Sequence, residues 1–550
     1  MPRLRSRDLL SASLGLLLLA GLAGERLATL AKAAPTDFDD AFMYLRYAGN
    51  LLAGWGVAWN PGEAPVFGVA SLLHLAVVTA LRWFLPGLTP AGLLGVASGA
   101  AATGLLAALV AIAAVHSRHR RLRRNWIFWT AVVLSLVAYR EAFVFHAGTG
   151  MDTMLSGLAN ALLVFATLRL GESSRPATVV AATLAALLAV LARPDNALCA
   201  VSCPFLALAL LAPRPRGRLL ALFGALVACG LALLVLVEGL ALGSPLPLAF
   251  FAKQPWYYGG FAGEFSWNPF LFLLVFARSA WPFVVALVLF ADGPGWRRAA
   301  VLLLPALASI AVLFRFNQIM GHLGRFYYPF LPFFVAAGAL EFDAWLARGQ
   351  AVRLRPMLVR AGWAASVLLI GYFSLSLAGS AYASHANEQR LVPPGGLHLP
   401  ASQSLPEMDS WQAAQAVAAI AVAAPPGSTF AMSEHGLPGA LAPQVAIVDP
   451  LGLHDPYFAH HGFSAAELFR RAPDLIWLPH EDHTQMLHDI LGAEDFWAHY
   501  DFYPDAFFHG IALRRDGKHH DRLAALLAIE WRRSYPGCAM ADFRAARDGW

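Results

Sequence analysis

At 550 residues, 58% hydrophobic and only 14% charged, the chain is far too apolar for a soluble protein of its length, and several runs approach the roughly 20 residues that cross a bilayer. Its formal net charge of +5 sits largely in short arginine clusters between apolar runs, which is the pattern of cytoplasmic loops and argues against a nucleic-acid surface. Of the four cysteines, Cys199, Cys203 and Cys229 lie in apolar runs and Cys538 stands alone, so they read as packing residues without a disulfide framework or metal-ligand spacing.

The first 30 residues carry a basic tip and a long apolar stretch, and an AKA tripeptide follows that resembles a signal-peptidase site. Because apolar residues continue past Glu25 and Arg26, this segment reads as an uncleaved first span, with the next loop outside the cytoplasm. Thr36 or Asp37 then caps a helix starting near Phe38, in which Phe42, Leu45, Ala48 and Leu52 recur at helical spacing until Gly54 and Gly56 end it. Asp39 and Asp40 fall in its first turn. The positive end of the helix dipole keeps such carboxylates ionised, as a base or cation ligand requires; the plainer alternative is that they only cap the helix.

The run 66–85 is interrupted by His74 and Arg82, and taken as a crossing it would put the basic HSRHRRLRRN at 116–125 outside. It therefore reads as a juxtamembrane or re-entrant helix, which leaves 93–115 as the second span. Further spans are expected near 126–146, 153–170, 177–192, 196–212, 219–242, 270–291, 299–314, 327–346 and 358–380, eleven crossings in all. The basic stretches 213–218, 295–298 and 348–360 then lie inside, while 32–92, 146–152, 243–269 and 315–326 lie outside. After Ala381 the composition becomes that of a soluble domain of about 170 residues. STFAMSEHG, QVAIVD and DLIWLP read as short buried strands, and WQAAQAVAAIAVAA and DRLAALLAIEWRR as helices. The expected architecture is thus a polytopic α-helical membrane module over 1–380 and an extracytoplasmic C-terminal α/β domain over 381–550.

The outer loops collect ionisable groups: Asp37, Asp39 and Asp40, then Asp152 in GTGMDT, Lys253 in SPLPLAFFAKQPWYY, and His322 with Arg325 in GHLGRFYYP. Ionisable residues at a membrane boundary are costly enough to suggest function. Each has a plainer role available: Asp152 as a helix cap, Lys253 and Arg325 reaching headgroups, Arg193 and Asp195 as a turn ion pair, His322 as structural. Acids on one loop facing cations on others nevertheless suit a reaction in which a hydroxyl loses a proton while an anionic phosphate leaves. The later HEDHTQMLH reads as solvated surface rather than a zinc site.

The order of motifs carries a family resemblance. DDAFMYLRYAGNLLAGWGVAWNPGE at 39–63 resembles the signature of the GT-C glycosyltransferases close to the mycobacterial terminal arabinofuranosyltransferases. GMDT, ARPDN, GSPLPLAFFAK, GRFYYPFLP and VDPLGLHDPY are similar to that family's later motifs, in the same order as far as residue 457. The chain departs from the pattern with GVASLLH for GYTS-x-LW, Asp152 for glutamate, Asp195-Asn196 for Glu-Gly, and Leu248 for the asparagine after Pro247. The resemblance implies an inverting transferase that uses a polyprenyl-phosphate sugar at the outer face of a bacterial-type plasma membrane and delivers it to a glycan, lipid or protein acceptor. In it Asp39 is the base, Asp40 its neighbour or a cation ligand, and Lys253, His322 and Arg325 engage the donor phosphate. Asp152, Arg46 and Tyr257 are assigned to acceptor or substrate, and any divalent metal ion to Asp40 and Asp152. The alternatives are a transporter or flippase for lipid-linked glycans, whose outer acids bind a coupling ion, and a non-catalytic assembly subunit.

Overall fold

The computed structural model describes residues 38–545 except 120–121, 123–124, 139, 174, 213–216, 254–267, 315–317, 319–320, 349–404 and 480–482. Two short helices come first, α1 (Asp39–Leu52) and α2 (Leu72–Phe84). A helical bundle follows: α3 (Pro90–His116), α4 (Trp126–Val133), α5 (Glu141–Gly148), α6 (Thr153–Ser173), α7 (Pro176–Ala192), α8 (Pro194–Leu211), α9 (Gly217–Leu242), the short α10 (Leu248–Ala252), α11 (Pro269–Phe290), α12 (Gly293–Leu313) and α13 (His322–Ala347). Seven of these, α3, α6, α8, α9, α11, α12 and α13, are long and apolar enough to cross a membrane. The outermost, α9, leaves Leu233, Leu236 and Leu240 exposed, a surface that only hydrocarbon would cover without cost. The protein is a membrane-embedded helical bundle.

The expected eleven crossings are not reached among the described residues. The predicted span at 126–146 is a pair bent by 84°, an eighth crossing if counted as one, because Arg140 and Glu141 interrupt the apolar run after a wide turn at Leu134–Ala138. Helix α7, with 17 residues, rises about 25 Å, short of a hydrocarbon core of about 30 Å. The first predicted span and the one at 358–380 lie outside the described residues.

Close backbone approach holds the bundle. A Cβ at Gly338 would lie 2.3 Å from the Phe283 carbonyl oxygen, so only glycine lets α13 pack this tightly on α11. Buried ion pairs gather near two ends of the bundle. At one end Asp343 accepts from the Ser117 hydroxyl at 2.5 Å and from the Arg118 amide, His116 meets Glu172 at 2.8 Å, and Arg298 meets Glu341 at 3.3 Å. At the other lie α1, α2, α10 and the C-terminal domain.

Helix α1 starts where predicted, but its N-cap position is Phe38, which makes no side-chain cap; Thr36 and Asp37 lie outside the described residues. Helix α2 has 13 residues, too few to cross, and its two polar interruptions fasten it. His74 Nε2 lies 2.9 Å from the Gly150 carbonyl oxygen, and Arg82 donates to the Leu45 carbonyl at 2.7 Å.

The C-terminal domain is a five-stranded sheet in the order β2-β1-β3-β5-β4, formed by β1 (Thr429–Met432), β2 (Ala446–Val448), β3 (Leu475–Trp477), β4 (Tyr500–Tyr503) and β5 (Ile511–Arg514). β1 runs parallel to β2 and β3, whereas β5 is antiparallel to β3 and β4. The predicted strands are β1–β3, and the predicted helices are α14 (Ser410–Ala423) and, after the short α15 (Gly436–Leu441), α16 (His520–Ser534). Phe42, Leu45 and Tyr47 of α1, Leu93 and Leu94 of α3, and Val417, Leu437 and Ile447 of the domain share one continuous core. That shared core fixes α1 between bundle and domain.

Candidate active site

Four turns bring charged groups to one place beside α1. Gly150 takes φ +74°, and a Cβ there would meet Leu94 Cβ at 2.6 Å; this tucks the turn against α3 and lifts Asp152 to the head of α6. Gly324 also takes φ +74°, following Leu323 at φ 49°, and seats the GHLGR turn against the Phe272 carbonyl, which presents Arg325. The third turn is held where the Leu248 amide donates to the Phe67 carbonyl at 2.7 Å, setting α10 so that Lys253 follows its last residue. The fourth, Arg193-Pro194, joins α7 to α8.

Arg325 Nη1 donates to Asp40 Oδ2 at 3.0 Å, with the two side chains 8% and 19% exposed. Arg193 bridges two acids, meeting Asp195 at 3.0 Å and Asp152 at 3.3 Å. The Tyr44 hydroxyl donates to Asp152 Oδ2 at 3.4 Å. Three cations surround one ring: Arg193, Arg325 and Lys253 lie 5.3, 5.4 and 5.9 Å from the centre of Phe326. Asp40, Asp152 and Asp195 offset their mutual repulsion. Burial works against charge on Asp152, but Arg193 and then Arg325 hold its pKa below the usual range. Burial pushes the Lys253 ammonium down to about 8; Arg325 and Arg193 add to this, and Asp40 opposes it. Arg325 Nε is buried without a hydrogen-bond partner among the described residues, a donor with capacity to spare. His322 sits exposed at the rim, its ring edge-on to Phe38 at 6.2 Å.

Of the residues predicted for the site, Asp40, Asp152, Lys253 and Arg325 form this cluster and His322 borders it. Tyr257 lies outside the described residues. Asp39 faces the other way: its two oxygens accept from the Gly436 and Leu437 amides at 2.6 and 2.7 Å, so both are engaged in holding the C-terminal domain. Its surroundings oppose the ionisation that the helix dipole favours. Burial raises its pKa more than those amides and His435 lower it.

Arg46, expected at the substrate, is likewise a clamp. It donates to the carbonyls of Trp59, Gly439, Val445 and Ala442 at 2.7, 2.9, 2.9 and 3.4 Å and to Asn60 Oδ1 at 2.7 Å, which uses all five of its N–H donors and leaves nothing for a ligand. Asp40 and Asp152, expected to share any divalent ion, are each taken by an arginine and belong to no group of three metal-ligating side chains among the described residues.

The sequence reading missed Arg193, which it paired only with Asp195, and Tyr44 and Phe326, whose apolar neighbours conceal them. The signal for Arg193 was its place, a cation at the junction of two apolar runs. A groove of about 680 Å³ between Phe42, Pro90, Trp411 and Arg533 lies beside α1 and holds none of the clustered charges. No protein-family model matches the chain, and none of the curated proteins matches it.

Proposed function

We propose that this chain is a membrane glycosyltransferase that moves a sugar, with inversion, from a polyprenyl-phosphate donor to a hydroxyl of a cell-envelope glycan, lipid or protein at the extracytoplasmic face. One observation carries the reading: an acid paired with an arginine, Asp40 with Arg325, among further cations at one end of a membrane bundle. It adds to the family resemblance of the motifs that supply those residues. Arg325, through its spare Nε, and Lys253 hold the donor phosphate, whose prenyl chain stays in the lipid. As the acceptor oxygen bonds to the anomeric carbon, the bond from that carbon to the phosphate oxygen breaks. The electron pair leaves with the polyprenyl phosphate, where the cations stabilise it, and the hydroxyl proton goes to Asp40. Asp40 replaces Asp39 as the base because both oxygens of Asp39 are already engaged.

The test is transfer by the purified protein from a panel of polyprenyl-phosphate sugars. Transfer from at least one donor, with polyprenyl phosphate released, is expected; no release from any would sink the reading. A pH profile adds a second check. With Lys253 near 8, its charge is present below that pH and lost above it, and a bound phosphate favours the charged form. Donor affinity is therefore expected to fall above about pH 8, by up to about tenfold per pH unit. Lys253→Arg should flatten that fall; a profile identical to the parental one would remove Lys253 from the phosphate site.

A further inference from the structure

Outside the charged cluster, the carboxyl ends of β1 and β2 bring together three buried polar side chains. His435 follows β1, Asp449 follows β2, and His454 lies in the loop beyond; one ligand atom from each falls within 4.8 Å of the others. His435 Nε2 is 3.5 Å from Asp449 Oδ2, and the two imidazole rings are 4.7 Å apart. Asp449 stands at the limit of hydrogen-bond distance from Nε2, and His435 Nδ1 is buried without a partner among the described residues, so the ring has coordinating capacity to spare. The carboxylate and the second imidazole are pre-oriented. Asp449 accepts from the Leu451 and His454 amides at 2.9 and 2.7 Å, His454 Nδ1 is 2.9 Å from the Tyr47 hydroxyl, and Trp59 stacks on the ring at 4.0 Å. A metal-binding histidine is typically fixed through its other nitrogen in this way, and an ion taken at Nε2 displaces the Met43 sulfur, which now lies 2.7 Å from it.

We infer that His435, Asp449 and His454 form a binding site for one divalent transition-metal ion of the zinc class, at the seam where α1 meets the C-terminal domain. Two imidazoles and one carboxylate suit such an ion, whereas magnesium and calcium prefer oxygen alone. The ion ties the ends of β1 and β2 together within the domain, directly beneath α1, whose Tyr47 and Met43 contact His454. It takes no part in the transfer reaction proposed above, and its test needs no sugar donor.

Full-length protein is purified, stripped with chelator, and titrated separately with zinc and with magnesium, reading metal content after gel filtration and the thermal midpoint. The wild type should retain about one zinc per chain and melt at higher temperature with zinc, and magnesium should do neither. His435→Ala and Asp449→Asn should lose the zinc and the shift. Tyr47→Phe, which keeps all three ligands, should bind zinc roughly 10- to 100-fold more weakly. The proposal fails if the stripped wild type binds no zinc, or if a folded His435→Ala protein retains it, since other histidines would then be holding the ion.

Discussion

Asp40→Asn should fold normally and lose about 10²- to 10⁴-fold in transfer rate, the usual worth of general-base assistance. The asparagine oxygen can still accept the Arg325 Nη1–H that now reaches Asp40 Oδ2 at 3.0 Å, so the cations stay in place and donor KM should change little. Its companion Asp39→Asn separates the two adjacent acids. An amide keeps one acceptor but turns an NH2 toward a backbone N–H where Asp39 now accepts from both Gly436 and Leu437, leaving a buried donor unmet. That should lower stability by about 1–3 kcal/mol, visible in thermal melting, with the rate per folded molecule largely kept. A reversed pattern, a stable but inactive Asp39→Asn beside an active Asp40→Asn, would return the base to Asp39.

Why the sequence pointed to Asp39 is visible in α1 itself. Its start and its apolar spacing were legible because a helix announces itself through neighbours three and four residues apart. Its partners were not. The helix buries both faces, and its polar residues Arg46 and Asn50 are as hidden as Phe42, because a domain almost 400 residues later docks on the side that reads as solvent-facing. The Asp40–Arg325 pair spans 285 positions, and local pattern carries no information at that range. The same limit explains Arg193, whose bond to Asp195 two residues on was foreseen while its contact with Asp152, 41 residues earlier, was not. In the C-terminal domain, β1 to β3 stood out as short apolar runs, but β4 (YDFY) carries an acid and β5 (IALR) ends in an arginine, and both owe their pairing to the sheet.

The largest effect on stability should come from Arg46→Ala. Five buried acceptors depend on this guanidinium: the carbonyls of Trp59, Gly439, Ala442 and Val445 and the Asn60 side chain, with the Trp59 ring packed 4.9 Å from it. Burial lowers its pKa only to about 10, so it stays charged at neutral pH and its bonds are charge-assisted. Truncation strands those acceptors in a core shared by α1 and the domain, and removing one side of such a buried charged network typically costs about 3–5 kcal/mol. The expected result is a domain that loosens from α1, read as faster proteolysis within the C-terminal domain and a lower melting transition. Arg46→Lys should recover little of this, because one ammonium cannot reproduce a planar fork that bonds five separated acceptors. Transfer should fall in parallel, since Asp40 sits on the same helix, whereas Arg325, carried by the bundle, should keep its hold on the donor. Unchanged melting and proteolysis in Arg46→Ala would show that the shared apolar core alone holds the domain in place.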